Sequence, residues 1–181
     1  MLQPTRPRTP ILALTAVAIG LLVVGGILVV GRFGVPDASP SPTASAPTSS
    51  ATDPMATPEG AVRAFFDAYS AARRTDDPAP VTLFVTSTDS SAYLSVAGFL
   101  DGQRAVNKAS VVTAQRLDNL TSTISGGTAT VIFNFTEGGY DIDLQSGSAL
   151  ESPKTLPAYQ VTVILKAAGS RWLVDSYTSR P

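Results

Sequence analysis

The sequence predicts an α+β protein in which an N-terminal transmembrane helix and a disordered linker precede a domain of helices packed on a curved antiparallel sheet. Three observations predict it: an uncharged apolar run, a tract rich in Pro, Ser, Thr and Ala, and a later change from helical to alternating hydrophobic spacing. The predicted segments are a cytoplasmic tail over 1–10, the transmembrane helix over 11–31, the linker over 32–56 and the domain over 57–181.

The apolar run extends from Ile11 to Val30 and contains no charged residue. A helix of about 20 residues spans roughly 30 Å, which matches the hydrocarbon core of a bilayer. Arg6 and Arg8 precede the run without an acidic residue, so the positive-inside rule places the N-terminus in the cytoplasm. A cleaved signal peptide is the alternative, but its apolar region is usually only about 7 to 15 residues long. We therefore predict a single-pass signal anchor in the cell membrane, with the C-terminal domain outside.

The linker over 32–56 has too little apolar surface to offset the entropy of ordering, so it is predicted to be a disordered spacer. Composition also limits the function. The net charge of −1 supplies no basic surface for nucleic acid. The chain has no Cys and no His, which removes thiol nucleophiles, imidazole bases and the usual zinc sites. We expect no metal, no cofactor and no nucleic-acid partner.

The domain is predicted to begin with an amphipathic helix. Thr57 is its N-cap and Pro58 opens its first turn. A helical stripe of apolar residues continues until Asp76, and Arg73 falls outside that stripe. The stripe consists of Val62, Phe65, Phe66, Tyr69 and Ala72. A short turn over 81–85 and a second helix ending near Gly102 are predicted to follow.

Strands are predicted from Ser110 onward, because the spacing alternates and Val and Thr become frequent. The first covers 111–125 with an irregularity near Asp118, and Gly126-Gly127 is a tight turn. The second begins at 128. Residues 138–157 are either a long excursion or a continuation of this strand, since alternation persists at Tyr140, Ile142 and Leu144. The third and fourth strands follow over 159–165 and from Arg171.

The last hairpin determines where Asp175 and Tyr177 point. A four-residue loop over 167–170 places Leu165 opposite Trp172 and gathers the bulky apolar residues on one face. Asp175 and Tyr177 are either an acid/base pair in a pocket or residues on the outer face. The pairing favours the outer face for both.

Two segments carry a family resemblance: TPEGAVRAFFDAYSAARRTDD, in the first helix, and YQVTVILKAAGSRWLVDSYT, in the last two strands. They resemble the NTF2-like superfamily, which includes SnoaL-like and ketosteroid-isomerase-like proteins, and the likeness covers residues 57–178. With the anchor and linker, the chain is similar to single-pass extracytoplasmic NTF2-like proteins of high-GC Gram-positive bacteria. The resemblance implies a conical fold with a cavity between the sheet and the first helix. It also implies a homodimer formed through the sheet.

The expected cavity-lining residues are Phe65, Phe66, Tyr69, Phe133, Phe135, Val163 and Trp172. No catalytic residue is assigned, because no motif allows one to be transferred from the family. Asp67 beside Tyr69 is either an acid/base pair or an exposed carboxylate next to a core-edge ring, and the helical stripe favours the second. Asp101 is a further carboxylate near the expected cavity mouth, with a surface position as the default.

Alternating oxygen side chains at Asp141, Asp143 and Gln145 are similar to a calcium loop. The required glycine falls one position late, at Gly147, and the twelfth position is Ser152 instead of Glu. We interpret these residues as the outward side of a strand.

Two classes of function stay open. The first is a membrane-anchored, extracytoplasmic, non-catalytic binding or assembly module of the cell envelope with a protein partner there. The second is a pocket enzyme of isomerase or cyclase type that uses a desolvated carboxylate, or a carrier of a small apolar ligand without catalysis. An enzyme needs an apolar cavity with a carboxylate in it, and a cavity filled by Phe65, Phe133 and Trp172 would remove that basis.

Overall fold

The computed structural model describes residues 53–180 of the 181-residue chain. The predicted tail and transmembrane helix lie outside these residues, as does the predicted linker up to residue 52. Over 53–180 no helix is long and apolar enough to cross a membrane. The described elements are a 3₁₀ helix Pro54–Ala56, α1 Pro58–Thr75, a 3₁₀ helix Ala79–Phe84, α2 Ser91–Ala105, β1 Lys108–Ser125, β2 Thr128–Asp143, β3 Lys154–Thr155, β4 Tyr159–Ala168 and β5 Arg171–Arg180.

Helix α1 begins and ends where the sequence predicts. The Thr57 hydroxyl oxygen accepts a hydrogen bond from the Gly60 N–H at 3.2 Å, which satisfies one of the free amides of the first turn. At the other end Asp76 adopts a left-handed conformation with φ of 55°, and its N–H donates to the carbonyl of Ala72. The buried face contains Ala61, Val62, Phe65, Phe66, Ala68 and Ala72.

The strands form one antiparallel sheet in the order β1-β2-β4-β5, with β3 paired to β2. Its inner face packs against α1, and this layer of helix on sheet confirms the predicted α+β arrangement. Alternate residues of the strands enter the core, as the period of two requires. The buried members from the sheet are Leu117, Ala129, Val131, Phe133, Phe135, Val161, Val163, Leu165 and Val174.

Strand β2 continues through 138–143, so the second of the two readings of this region is confirmed. Strand β1 is irregular at the predicted place, between Asp118 and Thr121, and again between Val112 and Ala114, where nothing in the sequence predicts it. Beside this second bulge the two strands approach closely. A β-carbon at Gly139 would overlap the carbonyl oxygen of Val111, so only glycine fits there.

The predicted register of the last hairpin is wrong. The loop has two residues, Gly169 and Ser170, with Gly169 at φ of 64°. A bulge then leaves Asp175 as an extra residue, and this shift turns the following side chains to the other face. Tyr177 consequently lies opposite Val163 and contacts Phe65 and Phe66 on the inner side, instead of lying on the outer face. Asp175 accepts a hydrogen bond from the Thr86 hydroxyl at 2.9 Å.

Residues 53–56, inside the range predicted as linker, pack on the domain. Met55 is only 1% exposed and belongs to the core. Arg171, at the start of β5, pairs with Asp53 at 2.8 Å and donates to the Met55 sulfur. A β-carbon at Gly60 would overlap the carbonyl oxygen of Pro54. The chain therefore enters the domain beside the β4–β5 turn, at the end of α1 opposite its C-terminus.

Candidate functional site

A cavity of about 250 Å³ lies between the C-terminal half of α1 and the inner face of the sheet. We call it the inner cavity. Its walls come from α1, α2 and four strands, and they combine aromatic rings with polar groups. The lining residues are Phe66, Tyr69, Ser70, Arg73, Phe99, Gln115, Phe135, Glu137, Tyr159, Val161, Tyr177 and Ser179.

A second cavity, of about 330 Å³, adjoins the first; we call it the outer cavity. It lies between the end of α2, the paired ends of β1 and β2, and the connection that contains β3. Its walls include Gln103, Ser110, Asp141 and Lys154. Arg73, Phe99 and Glu137 line both cavities, so these three side chains form the partition between them.

The partition is built on an ion pair. Nη1 of Arg73, on α1, lies 2.6 Å from Oε2 of Glu137, on β2. The two side chains are only 16% and 12% exposed, so the pair is largely removed from water. The guanidinium carbon also lies 5.7 Å from the centre of the Tyr69 ring and 5.3 Å from that of Phe99, which are cation–π distances. The Nε of Arg73 is buried and donates to no protein acceptor within the described domain.

Three phenol groups face the inner cavity. Burial raises the pKa of Tyr69 above its ordinary value, and the neighbouring Tyr177 adds to that increase. Burial likewise raises the pKa of Tyr177 and raises the pKa of Tyr159 to about 12. All three groups therefore keep their protons at neutral pH and act as uncharged hydrogen-bond donors.

A short hydrogen-bonded chain closes one side of the inner cavity. The Ser70 hydroxyl donates to Oε1 of Gln115 at 2.6 Å, and Nε2 of Gln115 donates to Oδ1 of Asp67 at 3.0 Å. Asp67 is exposed and does not line the cavity. Because it bonds Gln115 and not Tyr69, the structure does not bring Asp67 and Tyr69 together as an acid/base pair.

The structure divides the expected cavity-lining residues into three groups. Phe66, Tyr69 and Phe135 line the inner cavity. Phe65, Phe133 and Val163 are fully buried in the core beneath it. Trp172 is half-buried at the start of β5, near the turn where the chain enters the domain. Aromatic rings thus fill one end of the space between helix and sheet, while the other end stays open.

Nine of the twelve residues that line the inner cavity are absent from the expected set, and they include Arg73, Glu137, Tyr159 and Tyr177. The placement of Arg73 outside the buried stripe of α1 was wrong, although Arg73 stands four residues after Tyr69 and so on the same face. Glu137 extends the inward alternation of Phe133 and Phe135, which was a usable signal. The bulge in β5 turns Tyr177 to the inner face, and the sequence does not predict that bulge.

Asp141 and Asp143, which resemble part of a calcium-binding loop in the sequence, accept hydrogen bonds from neighbouring residues of the domain. Oδ1 of Asp143 accepts hydrogen bonds from the N–H of Gln145 and from the N–H and hydroxyl of Ser146, and Oδ2 accepts one from Asn107. The bonds from Ser146 lower the pKa of the Asp143 carboxyl. Asp141 accepts from the Ser110 hydroxyl at 2.9 Å. Over residues 53–180 no three Asp, Glu, His or Cys side chains are grouped as metal ligands.

Asp101 lies in the last turns of α2 and does not line either cavity. Its carboxylate pairs with Arg104 at 2.9 Å, and its side chain is 71% exposed. It therefore occupies the surface position that the sequence favours.

Comparisons with known proteins bear on the fold. A scan against protein-family models finds no match for this sequence, and a search of curated proteins finds no similar chain. Among solved structures, the chain is similar to the intermembrane space region of the chloroplast protein ARC6, with 14% identity and a TM-score of 0.51. That likeness covers 67% of this chain and 92% of the other.

Two further solved structures are similar to this chain. An NTF2-like superfamily protein from Salmonella enterica has 9% identity and a TM-score of 0.43, over 66% of this chain and 87% of its own. An NTF2-like protein from Shewanella oneidensis has 10% identity and a TM-score of 0.44, over 68% of this chain and 98% of its own. At such identities the likeness is one of fold alone. The described domain shares its fold with the ARC6 region, and NTF2-like proteins are among the solved structures that it resembles, as the resemblance implied.

Alkaline titration tests the burial of the three cavity phenols. Because their pKa is higher in the folded than in the unfolded chain, their stabilising contribution is complete below about pH 10 and is lost at higher pH, which for Tyr159 means as the pH rises through about 12. We expect three of the five tyrosines to form phenolate, measured by ultraviolet absorbance, at higher pH in the folded protein than in urea. Tyr159→Phe should remove the step near 12. If all five titrate together at the ordinary value, the cavity assignment is wrong.

Proposed function

We propose that this protein is a membrane-anchored, extracytoplasmic binding module of the cell envelope that performs no catalysis of its own. The absence of catalysis in this proposal rests on one observation, the ion pair that Glu137 forms with Arg73. It is the carboxylate that lines the inner cavity in the described domain, and it is held 2.6 Å from the Arg73 guanidinium. A cavity with its carboxylate in an ion pair and its phenols neutral is equipped to recognise a molecule by hydrogen bonds.

The enzyme alternative has a weaker basis. A general base must be free to accept a proton near neutral pH, within hydrogen-bond reach of the substrate. Glu137 would first have to leave Arg73, which would uncover a buried guanidinium at a cost of several kcal/mol. The phenols have their pKa raised, so they are donors and not bases. Asp67 lies outside the cavity lining.

The membrane placement rests on the sequence. The apolar run over 11–30, with Arg6 and Arg8 before it, supports an N-terminus in the cytoplasm and a domain outside. The similar region of ARC6 lies in an intermembrane space, so a domain of this fold is compatible with a compartment beyond a membrane. In this proposal residues 32–52 form the tether, and a protein partner of the envelope is the binding target of the domain.

Single cysteines test the topology, because the natural chain has none. We expect Ser170→Cys, in the exposed β4–β5 turn, to react with a membrane-impermeant maleimide in intact bacteria expressing the full chain. The matched Thr5→Cys variant, in the predicted cytoplasmic tail, should react only after lysis. Labelling of Thr5→Cys in intact cells, or release of the Ser170→Cys chain into the medium without its N-terminus, would contradict the proposal.

A second candidate, a carrier of a small ligand, is favoured by the donor-rich inner cavity. Tyr69, Tyr159 and Tyr177 place phenol donors on the cavity wall, and aromatic rings supply the remaining wall. The Nε–H of Arg73 is a further donor, with no acceptor in the described domain. Such a site fits a small, uncharged, largely apolar molecule that carries an acceptor such as a carbonyl. A carboxylate ligand fits less well, because Glu137 already neutralises Arg73.

Acetophenone binding tests this carrier and, at the same time, the absence of catalysis. We expect Tyr177→Phe to weaken binding of acetophenone to the full chain by about 1 kcal/mol, a roughly fivefold increase in Kd, because one donor is lost. Tyr93→Phe is the control, since Tyr93 lies outside the cavity lining. The ketone should be recovered unchanged. A lack of any effect of Tyr177→Phe argues against the carrier, and conversion that disappears in Glu137→Gln would refute the non-catalytic assignment.

A further inference from the structure

The two edges of the sheet differ in how they are covered. At the β5 edge, Val85 pairs with Val174, the Thr86 N–H donates to the Val174 carbonyl at 3.0 Å, and the Thr86 hydroxyl bonds Asp175. At the other edge, the last part of β1 has no such cover from the described domain. Every residue from Thr121 to Ser125 is exposed.

The exposed part of β1, with the sequence Thr-Ser-Thr-Ile-Ser, lacks the features that usually protect an edge strand. It contains no charged residue and no proline, and both bulges of this strand lie before it, between Val112 and Ala114 and between Asp118 and Thr121. Its residues are β-branched or small, which suits a strand. Ile124 is 55% exposed although it points to the inner side of the sheet, opposite Ala129.

The hydrogen-bond pattern shows which backbone groups are free. The Ala167 N–H donates to the Gly127 carbonyl, so the odd-numbered residues at this end of β2 bond β4 and the even-numbered ones bond β1. The partners of those even-numbered residues on β1 are Thr121, Thr123 and Ser125. The N–H and C=O groups of Ser122 and Ile124 therefore point away from the sheet, and no backbone group over residues 53–180 bonds them.

We propose that Thr121–Ser125 pairs antiparallel with the same segment of a second copy of this chain, around a two-fold axis at Thr123. In that arrangement the outward N–H and C=O groups of Ser122 form hydrogen bonds with those of Ile124 in the second copy. The two-fold axis makes the same bonds between Ile124 and Ser122 of the second copy. Such a contact closes as a dimer. It joins two sheets by adding strand to strand, the mode that free edge groups support.

A second copy is the occupant that the segment itself fits. The five residues are uncharged, so no repulsion arises when two copies meet, and no charge selects a different partner. Pairing about Thr123 engages the outward N–H and C=O groups of both Ser122 and Ile124 in each copy. This dimer uses the edge of the sheet. It therefore differs from a dimer formed through the outer face, where Thr130 and Ile132 lie on the neighbouring strand.

A cysteine at position 123 tests the proposed axis in a chain that has no natural cysteine. In the proposed pairing Thr123 faces its own copy at a non-hydrogen-bonded position, where the Cα atoms are about 4.5 Å apart, within the range that a disulfide spans. We expect Thr123→Cys in the full chain, in detergent micelles under mild oxidation, to convert to a dimer that reduction abolishes. The matched control is Thr130→Cys, on the adjacent strand and the same face, which should stay monomeric.

A proline at position 122 tests the edge hydrogen bonds. The N–H of Ser122 points outward, so Ser122→Pro removes a group used only in the proposed dimer and keeps the bonds to β2. Added to Thr123→Cys, it should abolish the disulfide dimer, whereas Ser122→Thr should keep it. Fluorescence of the single residue Trp172 checks that both variants fold. The proposal is wrong if Thr123→Cys stays monomeric, if Thr130→Cys links equally well, or if folded Ser122→Pro still links.

Discussion

The ion pair between Arg73 and Glu137 is the constraint on which the site depends. It joins the last turn of α1 to β2, lies between the two cavities and is largely removed from water. Two desolvated charges persist only when each has its partner, since either one alone carries a large solvation cost. The rings of Tyr69 and Phe99 lie against the guanidinium and complete its surroundings. Because the carboxylate is occupied in this way, the remaining polar groups of the inner cavity are mainly uncharged donors.

The shape of the domain explains why a cavity exists only at one end. Near the chain entry, the space between α1 and the sheet is filled by Met55, Phe65 and Phe133, which are almost completely buried. Towards the C-terminus of α1, the bulge between Val112 and Ala114 interrupts the regular pairing of β1 with β2, beside the close approach at Gly139. The two cavities and their polar lining residues lie at that end.

Much of this fold follows from local sequence signals, and the site does not. The cap at Thr57, the stripe through Phe65 and the turn at Gly126-Gly127 each depend on neighbouring residues, so the pattern predicts α1 and the first hairpin. A bulge inserts one residue with little change in strand propensity. The sequence therefore does not predict the bulge at Asp175, and without the bulge it does not predict the inward position of Tyr177. The partner of Arg73 is 64 residues away on another element, and no local pattern encodes such a pairing.

A double-mutant cycle on the ion pair is the most direct measurement of its role. The variants are Arg73→Met, Glu137→Gln and the two combined, with urea unfolding of the full chain followed through the fluorescence of Trp172, which lies in the described domain. We predict that each single change lowers the free energy of unfolding by about 3 to 5 kcal/mol, because it leaves one buried charge unpaired. The double change should cost less than the sum of the singles by about 1 to 3 kcal/mol. Strictly additive effects would contradict the account, since they would mean that the two charges do not stabilise each other.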